Sequence, residues 1–189
     1  MTVTRILQLV VVLWVASEVA LVGLTRARRL HAYVRDRGSL VLFWGAIVGS
    51  LAGALALRPL SATLMPLPTA WLHGIALLLL GGGLGIRWAA ILTLGRFFNT
   101  AVTIHADHRL IRSGPFRWVR HPSYAGVLLA FLGLGVSFGN WLSLLVLCGP
   151  ILAAVLHRIR VEEAALVEAL GAEYTAYRKA TRRLIPGLF

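Results

Sequence analysis

The sequence predicts an all-α, polytopic integral-membrane bundle of about five transmembrane helices, with no Rossmann domain. Three observations predict it. Of the 189 residues, 58% are hydrophobic and only 14% charged, against about 25% charged in an average soluble domain. The apolar residues fall in long runs, and a spanning helix needs about 20 of them. The basic residues, 19 Lys and Arg against 7 Asp and Glu, sit between those runs. That placement suits membrane topology better than nucleic-acid binding.

Residues 4–24, 39–57 and 69–94 each read as a span. The first starts almost at the N-terminus and lacks a small-residue cleavage site, so it reads as a retained helix rather than a signal peptide. A polar stretch, 95–122, follows. Two shorter apolar runs, 123–138 and 141–157, are separated by Gly139-Asn140 and read as a tight helical hairpin, with a kink expected at Pro150. The tail, 158–189, is charged and helix-favouring. The chain therefore divides into 1–94, three N-terminal helices, and 95–189, a loop, the hairpin and a C-terminal helix.

Charge sets the expected orientation. Arg26, Arg28, Arg29, Arg35 and Arg37 lie in one connection; Arg96, Arg109, Arg112, Arg117 and Arg120 lie in another. Arg158, Arg160, Arg178, Lys179, Arg182 and Arg183 lie in the tail, and the opposite side holds only Arg5 and Arg58. The positive-inside rule puts all three basic segments in the cytoplasm, with the N-terminus outside and the C-terminus inside. A bacterial inner membrane is the expected location.

Several features read as structural. Gly81–Gly85 lacks the Lys-Ser/Thr ending and preceding strand of a phosphate loop, and small residues in a spanning helix favour close packing. Cys148, the single cysteine, supports neither a disulfide nor a zinc site, and no metal centre is expected. Arg87 reads as a snorkelling side chain. Glu18, an acid within a span, is either functional or paired with an arginine. His73 has no evident partner.

Polar chemistry concentrates in two segments joined by the hairpin. In "GPFRWVRHPSYAG", Gly114-Pro115 marks a turn and Pro122 suits a first helical turn. Arg120 and His121 precede a helix N-terminus, a place suited to an anion, and Tyr124 adds a phenol one step inward. In "RIRVEEAALVEALGAEY", Glu162 and Glu163 are adjacent just past an apolar run. Acids there need a partner, and a ligand's ammonium group is one. Glu168 and Glu173 read as a solvated helix face.

These two segments, in this order and separation, resemble the isoprenylcysteine carboxyl methyltransferase family, within a wider group that includes phospholipid N-methyltransferases. The resemblance covers residues 95–189. It implies S-adenosylmethionine as cofactor, with S-adenosylhomocysteine as product, held in a cytoplasmic pocket. It implies that His108, Leu110, Ile111, Gly114, Pro115 and Phe116 line that pocket, with His121, Pro122 and Tyr124 at the cofactor's amino-acid end. The spacing from Arg158 places the family's essential glutamate on Glu163, expected to face the cofactor's ammonium, and Arg120 is implicated in holding a substrate carboxylate. Phe116 stands where tyrosine is common in the family. The acceptor implied is lipophilic, a prenyl or lipid-like small molecule entering from the membrane lipids, and nucleic acid is not an expected partner. A phospholipid or amine N-methyltransferase is the alternative within the group. An NADPH-dependent lipid reductase and a non-catalytic membrane subunit are the alternatives outside it.

Overall fold

The computed structural model describes residues 2–28, 33–34, 38–100, 103–104 and 110–187. Five helices carry the fold: α1 (Val3–Arg28), α2 (Ser39–Leu57), α3 (Thr69–Leu94), α4 (Pro122–Ser137) and α5 (Trp141–Ala180). Two-residue strands β1 (Tyr33–Val34) and β2 (Thr103–Ile104) pair antiparallel, Tyr33 opposite Ile104 and Val34 opposite Thr103. They join the connection after α1 to the one after α3.

Four of the helices, α1, α2, α3 and α5, are long and apolar enough to cross a membrane. α4 has 16 residues, or about 24 Å at 1.5 Å per residue, less than a hydrocarbon core of about 30 Å. The second arm of the hairpin and the tail expected as a separate element form one helix, α5, of 40 residues. The stretch before Gly171 runs about 45 Å, longer than a span needs. Its first part, 141–157, is apolar, and the charged part carrying Arg158 to Lys179 continues from it. The backbone leaves helical angles at Gly171 (φ 53°, ψ −123°) rather than at Pro150, which stays within the helix.

Close backbone contact sets how α3 meets α4. A Cβ at Gly83 would lie 2.5 Å from the Gly126 carbonyl oxygen, and one at Gly126 would lie 2.5 Å from that of Gly83. A Cβ at Gly133 would meet the Ala76 carbonyl oxygen at 2.8 Å. Gly81 and Gly85 have nothing within 4 Å, so one glycine of the cluster, Gly83, makes the closest approach. Around this contact, Ala76, Leu80, Val127, Ala130, Phe131, Leu147 and Ile151 form the buried core.

The hairpin turns on Gly139, which has φ 66°, and on the fully buried Asn140. The Asn140 side chain accepts from the Ser143 N–H at 3.0 Å, capping α5. Its Nδ2 donates to the Leu60 carbonyl at 3.0 Å. One side chain thus satisfies a helix start and the connection after α2. His73, which had no partner by sequence, is 3.0 Å through Nδ1 from the Thr4 hydroxyl.

Candidate active site

The loop before α4 is drawn to the C-terminal segment by backbone pairing. Arg120 N–H donates to the Arg182 carbonyl at 2.8 Å, His121 N–H to that of Arg183 at 3.1 Å, and Arg182 N–H to that of Trp118 at 3.2 Å. The Tyr177 hydroxyl donates to the Phe116 carbonyl at 2.7 Å. Pro122 opens α4, as its fixed φ favours. Gly114, with φ 55°, starts a 3-10 turn, Gly114–Arg117, against Thr93. These contacts bring "RHPSY" over the start of the charged part of α5.

Glu163 is enclosed by cations. Its Oε1 accepts from Arg120 Nε at 2.9 Å and lies 3.3 Å from His121 Nε2. Its Oε2 accepts from Arg183 Nη2 at 3.1 Å, with Arg178 Nη2 at 3.8 Å. Burial alone would push this carboxyl up, but the hydrogen bonds from His121 and Arg120 outweigh it and hold the group well below the usual carboxylate range. Arg120 also donates from Nη1 to the carbonyls of Thr181 at 2.5 Å and Arg178 at 3.1 Å. The Glu163 side chain is 5% exposed.

Glu162 faces a different space. Its side chain is 32% exposed and lines a cavity framed by α1, α2, α3, α4 and α5. Its Oε2 accepts from the Tyr124 hydroxyl at 2.9 Å. Arg158 Nε donates to that same hydroxyl oxygen at 3.0 Å, its Nη1 donates to the Ser39 hydroxyl at 3.1 Å, and its Nη2 to the Thr100 carbonyl. Glu162, Tyr124 and Arg158 thus form a chain along the cavity wall.

Of the residues singled out in the sequence, Arg120, His121, Pro122, Tyr124 and Arg158 line this cavity, as do Leu110, Ile111 and Phe116. Gly114 and Pro115 shape the loop behind it. Glu163 stands behind the wall in its cage of cations, and its neighbour Glu162 is the acid on the cavity. His108 lies outside the described residues.

The membrane side of the same cavity carries a second charged group that the sequence left open. Arg87 Nε and Nη2 donate to Glu18 Oε1 and Oε2, each at 2.5 Å. Trp14 Nε1 donates to Glu18 Oε1 at 3.1 Å, and Arg87 Nη1 to the Ser123 hydroxyl at 2.9 Å. Arg87 is 7% exposed, so it is a buried bidentate partner of Glu18 and does not snorkel. Phe43 and Trp44 of α2 complete this side. Their contribution had no local sequence signal, because α2 reads only as an apolar run.

A helical membrane bundle whose connecting loop, hairpin and C-terminal helix close a charged cavity defines a class of integral-membrane protein. The model of the isoprenylcysteine carboxyl methyltransferase (ICMT) family matches residues 75–168. That segment runs from within α3 through the cavity loop and hairpin to Glu168. Uncharacterized protein YpbQ of Bacillus subtilis is 31% identical over 103 residues, covering 53% of this chain and 60% of that protein. Protein-S-isoprenylcysteine O-methyltransferase of Schizosaccharomyces pombe is 35% identical over 103 residues, covering 53% of this chain and 44% of the yeast protein. The structure of a eukaryotic intramembrane Ras methyltransferase ICMT superposes with a TM-score of 0.58 at 27% identity, covering 76% of this chain and 51% of that one. The chain spans about half the length of the curated relatives it matches.

Proposed function

We propose that this protein is an S-adenosylmethionine-dependent methyltransferase acting on a lipophilic acceptor, with a carboxylate as the acceptor group. The observation that carries the reading is the placement of Glu162, Tyr124, His121 and Arg158 on one cavity whose other side is membrane helix. Kinship with proteins named protein-S-isoprenylcysteine O-methyltransferase supports it.

The side chains present fit the donor. Its amino-acid end carries an ammonium and a carboxylate. Glu162 is the accessible acid for the first, while His121 lines the same cavity and the Arg158 guanidinium, held by Tyr124, Ser39 and Thr100, adds positive charge near the second. S-adenosylmethionine would supply, when bound, a sulfonium methyl group whose carbon an acceptor carboxylate attacks in line, the S–CH3 bond breaking as the neutral thioether S-adenosylhomocysteine leaves. The protein's task is then alignment and exclusion of water rather than acid–base work. Arg120, fixed by Glu163 and two backbone carbonyls, stays on the cavity wall to hold the acceptor's carboxylate. Glu163 and Arg183 act behind it as positioning residues. An apolar acceptor enters between the membrane helices, and the donor enters from the cytoplasmic side where the basic segments lie. The N-terminus is then outside and the C-terminus inside.

Equilibrium binding in detergent tests this reading. S-adenosylmethionine and S-adenosylhomocysteine should bind and NADPH should not. Binding of NADPH alone would make the protein a reductase, and binding of neither would remove the enzymatic reading.

A further inference from the structure

Tyr174 is 1% exposed, and its hydroxyl is buried with no hydrogen-bond partner among the described residues. Native proteins leave few buried polar groups unpaired, because each forfeits its hydration without compensation. Yet Tyr174 lines the cavity. Its neighbour Tyr177 is the contrast. The two rings lie 6.0 Å apart, but the Tyr177 hydroxyl is spent on the Phe116 carbonyl at 2.7 Å.

The surroundings define what would satisfy Tyr174. Leu110, Ile111, Phe116, Leu166 and Tyr177 line the same cavity, and the Tyr177 ring stands beside that of Tyr174. The Tyr177 ring beside it and Phe116 on the same cavity offer aromatic faces to a flat ring with a heteroatom on its edge. Glu163, Glu162 and Arg120 act electrostatically on the hydroxyl, so the charged end of a ligand lies close by.

We propose that the Tyr174 hydroxyl is a ligand contact that donates a hydrogen bond to the nucleoside part of the methyl donor, whose base lies against Phe116 and Tyr177. This rests on the methyl-donor reading above and adds the orientation of the donor. The amino-acid end points to Glu162 and Tyr124, and the nucleoside points to Tyr174. The hydroxyl, unpaired among the described residues, acquires its partner on binding, so it contributes to affinity.

That combination separates Tyr174→Phe from an ordinary structural substitution. Thermal unfolding of the unliganded variant should occur at the wild-type temperature or above it, since only an unpaired hydroxyl is removed. Its affinity for S-adenosylhomocysteine should fall about five- to tenfold, the effect of one hydrogen bond. Competition by 5′-methylthioadenosine, which keeps the nucleoside and lacks the charged end, should weaken by the same factor. Tyr177→Phe should instead lower the unfolding temperature of the free protein. Wild-type affinity of Tyr174→Phe for S-adenosylhomocysteine would overturn the assignment while leaving the methyl-donor reading intact. A fall for S-adenosylhomocysteine with none for 5′-methylthioadenosine would move the contact to the amino-acid end and overturn it too. If the wild-type protein binds neither compound, the methyl-donor reading itself fails and this inference with it.

Discussion

The Tyr124 hydroxyl donates to Glu162 Oε2 at 2.9 Å, across 38 residues of chain and the whole hairpin. The adjacent acid, Glu163, points away into a cage of Arg120, His121 and Arg183. Neighbouring helical residues project about 100° apart, so two consecutive glutamates serve two different places. One is open to a ligand and one is locked into the fold.

The first prediction follows from that division. Glu162→Gln keeps the shape of the side chain and removes its charge. Losing a charge-assisted hydrogen bond costs about 1.5–3 kcal/mol, so affinity for S-adenosylhomocysteine should fall ten- to a hundredfold while the unfolding temperature stays near wild type. Isothermal calorimetry alongside a melting curve measures both.

Glu163→Gln should behave in the opposite way. It leaves the buried Arg120 side chain without its carboxylate partner, and breaking such a pair costs about 3–5 kcal/mol. The loss should appear as reduced stability. The sign with pH follows from the lowered folded-state value. The ionised carboxylate contributes fully above its ordinary value of 4.5, and that contribution is lost as acid titrates it through the lower folded value. Wild-type unfolding temperature should therefore drop below pH 4.5, and the variant's should be flatter there.

Glu18 and Arg87 form a buried bidentate pair between α1 and α3. Glu18→Gln alone should destabilise by about 3–5 kcal/mol, because Arg87 keeps its charge. Glu18→Gln with Arg87→Met should recover most of that loss. A double variant as unstable as the sum of the two single variants would contradict the pairing.

The glycine cluster of α3 should divide sharply. Gly83→Ala places a Cβ 2.5 Å from the Gly126 carbonyl oxygen, forcing α3 and α4 apart, at a cost of about 1–3 kcal/mol. Gly81→Ala meets nothing within 4 Å and should be neutral or slightly stabilising, since alanine favours the helix. Comparing the two melting temperatures in one detergent checks this.

Much of the bundle was legible in the sequence because apolar length and hairpin signals are local. Gly139-Asn140 marks the hairpin turn, and Pro122 marks the first residue of α4. The cavity was half legible. "RHPSY" and the Glu-Glu doublet announced it, but which glutamate faced inward depends on the rotation of α5, which the spacing does not give. Arg183 looked like one more basic tail residue. Its contact with Glu163 exists only because residues 182–183 pair with 118–121, a long-range event with no local mark. Arg87 and Glu18 were each visible as charges in apolar runs, yet their pairing depends on how α1 meets α3. Pro150 lies inside the helix, and Gly171, with its positive φ, is where the backbone leaves helical angles.

Methyl transfer to a lipophilic acceptor is read out by incubating purified protein with S-adenosylmethionine tritiated in the methyl group and an isoprenylated cysteine bearing a free carboxylate, beside a membrane lipid extract. Label should appear in an apolar product, be released by base as an ester's methyl group would be, and fall at least tenfold in Glu162→Gln. Label in no apolar product, from protein that is folded and binds the donor, would contradict this transfer.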